Sequence, residues 1–135
     1  MAFATRTLRD DTVADQGVIG ATSGGTVVVH LDHSSDSATS AALDASGLSG
    51  DANGAMLSIT RAWWGLSGSV EIQFKGASSD THALRLEGSG DYTGGPAIKN
   101  GATNTTATSG DIETVAAAAT GFIILELRKD DSFTA

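Results

Sequence analysis

The sequence predicts an all-β protein: a single antiparallel β-sandwich or jelly-roll-like domain of about seven or eight short strands. Three observations carry this prediction. The 135 residues suffice for one domain. Glycine is abundant, with 17 residues, and proline occurs once, a composition typical of short strands joined by Gly, Ser and Asp turns. Apolar and polar residues also alternate with period two in several segments, as they do in half-buried strands.

The first third of the chain contains one strong strand signal. Residues 1–12 are either a first edge strand or an extended arm that docks on a partner, because polar and charged side chains dominate there. Residues 26–32 are a β-branched run that follows a Ser-Gly-Gly turn signal, which predicts a strand. Its alternation places Val27, Val29 and Leu31 on one face.

The middle of the chain is predicted to hold a long loop and then a hairpin. Residues 33–55 are rich in Ser, Asp, Ala and Gly, and they allow at most a short helix near 41–45. The role of this loop is left open. Residues 57–64 and 69–75 have strand patterns, and the glycine-containing segment 65–68 between them predicts a four-residue turn.

Further strands follow towards the C-terminus. We expect strands at 84–87 and around Tyr92, a loop at 100–110, and either a strand or a short helix at 111–119. Residues 121–128 are almost continuously apolar, which predicts a central final strand. The large anchors of the core are expected to be Trp63, Trp64, Phe74 and Phe122. One buried cluster is expected to contain Val70, Ile72, Phe74, Leu84, Leu86, Ile123 and Leu125.

Composition and charge narrow the range of functions. A net charge of −8 repels polyphosphate and weighs against nucleic-acid binding. The absence of cysteine excludes disulfides, thiolate catalysis and cysteine-ligated metals. The sequence shows neither a signal-peptide pattern nor an apolar run of membrane-spanning length. We therefore expect a soluble protein made in the cytoplasm, with no membrane partner.

Candidate metal and catalytic motifs are weak. Residues His30, Asp32 and His33 form the one cluster of metal-ligand types, and alternation puts His30 and Asp32 on the same face. Polar residues at a strand end are the favoured interpretation, with ion binding left open. Residues 51–54 resemble the opening of a calcium loop, but Ala62 stands where the closing Glu is needed. We expect no catalytic residue, cofactor or metal, and hence no enzyme.

Partner contacts are expected at the chain ends and at a tryptophan. Trp63 and Trp64 are adjacent and so face opposite ways on a strand. The outward one is expected at a subunit contact, with stacking on a sugar as the alternative. The two chain ends, one of which is the tail at 129–135, have little apolar area. Segments of this kind are mobile unless a partner holds them. The expected contact residues are Arg6, Arg9, Trp64, Arg128 and Lys129.

Several pieces of the second half of the chain resemble small proteins encoded near the capsid and tail genes of tailed bacteriophages. The resemblance spans residues 57–129 and leaves the first third uncovered. It is carried, in order, by 59–64 (ITRAWW), 68–74 (GSVEIQF), 83–86 (ALRL), 95–100 (GPAIKN) and 121–129 (GFIILELRK).

This resemblance implies membership of the virion and carries over no functional residue. The expected role is that of a capsid decoration (cement) protein, an oligomer made in the host cytoplasm. It would bind the outer surface of the shell and bridge major capsid subunits. A tail or head–tail junction component is the first alternative. A carbohydrate-binding or adhesin module is the alternative from another functional class.

Overall fold

The computed structural model describes residues 2–10, 26–43, 57–75, 81–98 and 111–129. Within these ranges the chain forms six strands, all antiparallel, and no helix. The prediction of an all-β antiparallel sandwich is confirmed. The strands are β1 (Ala2–Asp10), β2 (Thr26–Asp36), β3 (Thr39–Leu43), β4 (Leu57–Phe74), β5 (Thr81–Tyr92) and β6 (Ile112–Lys129).

Two long strands form the centre of the sheet. The strand order is β1-β2-β6-β4-β5, and β3 also pairs with β6. Strands β4 and β6 are 18 residues each and pair along their full length. Strand β2 pairs with the second half of β6, and β3 pairs with its first half. The first layer thus contains β1, β2, the second half of β6, the first half of β4 and the end of β5. The second layer contains β3, the other halves of β4 and β6, and the start of β5.

The long strands bend where the two layers meet, at a corner formed by closely approaching backbones. Gly68 of β4 and Gly121 of β6 have φ of +77° and +139°. A Cβ on Gly68 would overlap the carbonyl oxygen of Ala118, and one on Gly121 would overlap that of Gly65. Ser35 of β2 and Ala118 of β6 have positive φ as well, so three adjacent strands turn along one line. The corner therefore requires glycine at positions 68 and 121.

Inward side chains of both layers form one buried cluster. The prediction for Val27, Val29 and Leu31 is confirmed, because all three are fully buried. Leu84 is half-buried and packs against the cluster. The other six residues predicted for the core are buried in it: Val70, Ile72, Phe74, Leu86, Ile123 and Leu125.

Some local predictions are corrected by the structure, and one that was left open is decided. The hairpin at 57–75 is wrong, because its glycine segment lies in the bend of β4 and that strand stays paired with β6 on both sides of the bend. The short helix near 41–45 is wrong for its described part, which belongs to strand β3. The ambiguous segment 111–119 lies in strand β6 from Ile112 onwards. The loop predicted at 33–55 is wrong for residues 33–36 and 39–43, which lie in strands β2 and β3. Its part from residue 44 onwards and the loop at 100–110 lie outside the described residues.

The anchors and the N-terminus also differ in part from expectation. Phe74 is buried and Trp64 is half-buried against the core. Trp63 does not belong to the core cluster and Phe122 is 40% exposed, so neither of these two is an anchor. The reason is alternation, since Phe122 precedes the buried Ile123 and points the opposite way. Residues 2–10 form the edge strand β1, the first of the two alternatives for this segment.

The geometry of the corner predicts that two glycine substitutions lower the free energy of unfolding by different amounts. Gly68 and Gly94 have nearly equal φ, +77° and +76°, but an added Cβ at Gly94 meets nothing within 4 Å. Gly94→Ala should cost about 1–2 kcal/mol from backbone strain. Gly68→Ala should cost about 2 kcal/mol more, or prevent folding, because overlap with the Ala118 carbonyl is added. Urea unfolding of both variants measures the difference. Equal costs would contradict the role assigned to the corner.

Candidate functional site

The outer face of the second layer is a charged surface whose groups pair with one another. Its ion pairs join acidic and basic side chains on neighbouring strands or positions, so these charges of the described layer compensate one another. The hydrogen bond with His82 holds the pKa of Glu71 below its ordinary value. The pairs are Glu71 with His82 at 2.5 Å, Lys75 with Glu113 at 3.5 Å, and Arg85 with Glu87 at 3.3 Å.

The outer face of the first layer is aromatic. His30 of β2, Trp63 of β4 and Phe122 of β6 all point outwards, because their chain neighbours point into the core. Ile124 lies opposite both His30 and Trp63 in the strand register. The rings of His30 and Phe122 are parallel within 5°, with centroids 6.4 Å apart. A Cβ on Gly65 would lie 2.9 Å from the Phe122 ring, so this glycine makes room for the exposed aromatic.

Four arginines surround these aromatic side chains. Arg6 lies opposite His30 in the register of β1 with β2, and Arg9 lies opposite the outward-facing Val28. Arg61 and Arg128 point outwards from β4 and β6, and all four are exposed. Together they are half of the eight Lys and Arg residues of the chain. We call this surface the arginine–aromatic face, defined by Arg6, Arg9, His30, Arg61, Trp63, Phe122, Ile124 and Arg128.

Among the described residues, basic side chains outnumber acidic ones on this side of the first layer, although the whole chain is acidic. Asp32, Asp91 and Glu126 also point outwards from the first layer, by their register positions opposite Phe122, Trp63 and Arg61. Arg61 Nε lies 3.8 Å from Glu126 Oε1. The four arginines outnumber these carboxylates, although the chain carries −8 overall. Aromatic side chains with arginines are the composition enriched at the centres of protein interfaces.

The structure brings together part of the contact set predicted from the sequence. Arg6, Arg9 and Arg128 lie on the arginine–aromatic face. Trp64 lies on the opposite side of β4, where it packs against the core and its Nε1 donates to the Glu87 carbonyl oxygen at 3.1 Å. Lys129 ends strand β6, and its side chain lies outside the described part. The role of these five residues as partner contacts stays a prediction.

Trp63, Phe122 and Arg61 belong to the face but were not in the predicted contact set. Alternation counted forward from the buried Leu57 and Ile59 turns Trp63 inwards. The bulge between Ile59 and Arg61 shifts the count by one residue, so that Trp63 faces outwards instead. A bulge of this kind leaves no clear mark in the sequence. For Phe122 the signal was present, since it alternates with Ile123 and Leu125.

The cluster of metal-ligand types is divided between two faces of β2. His30 and Asp32 share the outer face, which confirms the alternation. His33 is buried, its Nδ1 lies 2.8 Å from Asp36 Oδ2, and its ring contacts that of Phe3 at 4.9 Å. Asp36 Oδ1 also accepts a hydrogen bond from the Ala38 amide. Within the described ranges, no group of three or more His, Asp or Glu residues is arranged to hold a metal ion.

Comparison with known proteins adds little to this geometry. No protein-family model matches the chain, and no curated protein matches it. One solved structure, a carbohydrate-binding module of family 29, is similar at 11% identity with a TM-score of 0.33, covering 96% of this chain and 89% of that one. A TM-score this low carries no inference about ligand. In the part of the chain that the structure describes, no helix is long and apolar enough to cross a membrane.

The buried His33–Asp36 pair predicts that two aspartates of β2 contribute differently to the free energy of unfolding. Asp36→Ala removes the partner of His33 Nδ1 in a site where Nε2 already has no hydrogen-bond partner among the described residues. The loss should lower the free energy of unfolding by about 1–3 kcal/mol. Asp32→Ala, at an exposed position of the same strand, should change it by less than about 0.5 kcal/mol. Denaturant titration compares them, and similar values for both would refute the structural role of the pair.

Proposed function

We propose that this chain is a non-enzymatic structural protein of a tailed-phage particle, a decoration protein that binds the outer surface of the capsid. The observation that carries the proposal is the arginine–aromatic face. It gathers exposed rings and four arginines on one side of an acidic protein whose other large face pairs its own charges. Such a face fits a protein partner that presents apolar groups ringed by carboxylates.

The residues of the sequence resemblance support the same proposal, because they are contiguous in the fold. The segments around Trp63, Val70, Leu84 and Phe122 lie on the adjacent strands β5, β4 and β6. The remaining described piece joins them where Ile98 and Ile59 exchange backbone hydrogen bonds of 2.7 and 2.9 Å. A pattern spread over residues 57–129 thus forms one structural block, and this block supplies five of the eight residues of the arginine–aromatic face.

Docking through this face explains how an acidic protein attaches to a shell. The net charge of −8 keeps the free protein soluble and repels other acidic surfaces. The arginines of the face reverse that repulsion locally, and the rings supply apolar area at its centre. Where this face contacts two neighbouring capsid subunits, it would hold them together across their boundary. Attachment should weaken with salt, because exposed charges are screened.

A carbohydrate-binding role is the second candidate, favoured by one observation. The parallel rings of His30 and Phe122 on an exposed sheet face, beside the carboxylate of Asp32, could stack on a sugar and bind its hydroxyls. Isolated protein on a glycan array distinguishes the two roles. A signal lost in Phe122→Ala would favour the sugar, and no signal would favour the shell. Copy number separates decoration from a tail or junction role, since a decoration protein approaches the copy number of the major capsid protein.

The docking proposal predicts which substitutions release the protein from particles. Arg6→Glu combined with Arg128→Glu, and separately Phe122→Ala, should lower occupancy on stripped particles at least about tenfold, because central Arg and aromatic contacts each contribute about 2 kcal/mol or more. Arg85→Glu is the control, since Arg85 is also exposed but lies on the second layer. Gel densitometry of sedimented particles gives occupancy, and circular dichroism checks folding.

Two results would overturn the proposal. One is the absence of the wild-type chain from purified particles of the phage that encodes it. The other is an Arg85→Glu control that releases the protein as strongly as the substitutions on the arginine–aromatic face. The second result would move the docking surface to the second layer.

A further inference from the structure

Strand β1 is held to its own chain mainly through its backbone. Among its side chains of described burial, Phe3 and Asp10 are half-buried and the others are exposed, including Leu8 at 48%. The strand is also bulged between Thr7 and Arg9. A strand that is polar on both sides is weakly specified by packing, and such strands are prone to alternative pairing and to exchange between copies.

Strand β1 is held in place by contacts with β2 and β3. Its residues pair with β2 from Ala2 opposite Ser34 to Asp10 opposite Val27. The Phe3 ring packs on the buried His33, and Thr5 Oγ1 donates to the Ala42 carbonyl oxygen at 2.8 Å. A second copy of the chain offers the same β2 edge, the same His33 ring and the same carbonyl. Pairing with that copy would therefore reproduce every one of these contacts.

The connection between β1 and β2 is long enough for such an exchange. Antiparallel neighbours are ordinarily joined by two to five residues, whereas residues 11–25 separate these two strands. At about 3.3 Å per residue, a connection of this length can span on the order of 50 Å. That exceeds the width of a domain of this size, which is about 30 Å. The chain length thus permits β1 to reach the β2 edge of an adjacent molecule.

We propose that β1 of one copy pairs with β2 of a second copy, so that copies are joined by strand exchange. This goes beyond the proposed function, because it concerns contacts between identical chains and holds with or without a shell. Strand β1 makes the same contacts within its own chain and with a second chain. The equilibrium between these two pairings therefore depends on the effective concentration of the second copy. A surface that holds many copies side by side would favour exchange. Phe3 is the anchor, because its ring packs on the buried His33.

Cysteine pairs test this proposal, because the chain contains no native cysteine. Ala4 and Asp32 are Cα partners on β1 and β2, and both are exposed. Antiparallel partners lie about 4.5–5.5 Å apart, within the range that a disulfide spans. Chains carrying Ala4→Cys are mixed with ¹⁵N-labelled chains carrying Asp32→Cys, unfolded, refolded together and oxidised. Exchange predicts a disulfide between position 4 of an unlabelled chain and position 32 of a labelled chain, read by mass spectrometry.

A matched mixture controls for random oxidation. Ser89→Cys replaces Asp32→Cys, because Ser89 is exposed on β5 at the opposite edge of the sheet. The 4–32 bond should exceed the 4–89 bond at least about tenfold, and adding Phe3→Ala should reduce it. Equal yields of the two bonds overturn the exchange. The experiment uses purified chains only, so its failure leaves docking on the particle untouched, and loss of docking leaves the 4–32 bond unchanged.

Discussion

The corner between the layers depends on two places where backbones approach too closely for any side chain. Gly68 sits against the carbonyl of Ala118, and Gly121 sits against that of Gly65. These approaches let β4 and β6 turn without breaking their ladder, so each long strand contributes to both layers. The core follows from this geometry, because the inward residues of the two halves of each strand are folded onto one another in a single cluster. A side chain at either glycine would separate the halves.

The same geometry produces the difference between the outer faces. Because β4 and β6 alternate through the bend, Glu71 and the adjoining Lys75 lie on the outer face of the second layer, while Trp63 and Phe122 lie on that of the first layer. Gly65 has two roles here: its carbonyl packs on Gly121 at the corner, and its missing side chain leaves space for the Phe122 ring. The feature that folds the sheet is thus adjacent to the feature that makes its surface aromatic.

Alternation in the sequence was sufficient to predict the fold class, the core faces of β2 and β6, and half of the described core. It failed at the bend, because glycines at 65 and 68 suit a hairpin turn as well as a corner between paired strands. Short range patterns cannot separate these cases, since the difference lies in the pairing of β4 with β6. The arginine–aromatic face was predicted only in part for a related reason. Arg6, Arg61 and Arg128 are far apart in the chain, and only the strand register brings them to one surface.

The central claim is that this face attaches the protein to a capsid. A cryo-electron microscopy reconstruction of the particle, with the chain fitted as a rigid body, tests it most directly. The account predicts density for the chain over the outer shell, with Phe122 and Arg128 covered by capsid subunits. The paired charges of Glu71, His82 and Arg85 should face solvent. Density at the tail, or over the shell with the second layer against the capsid and Phe122 exposed, would contradict it.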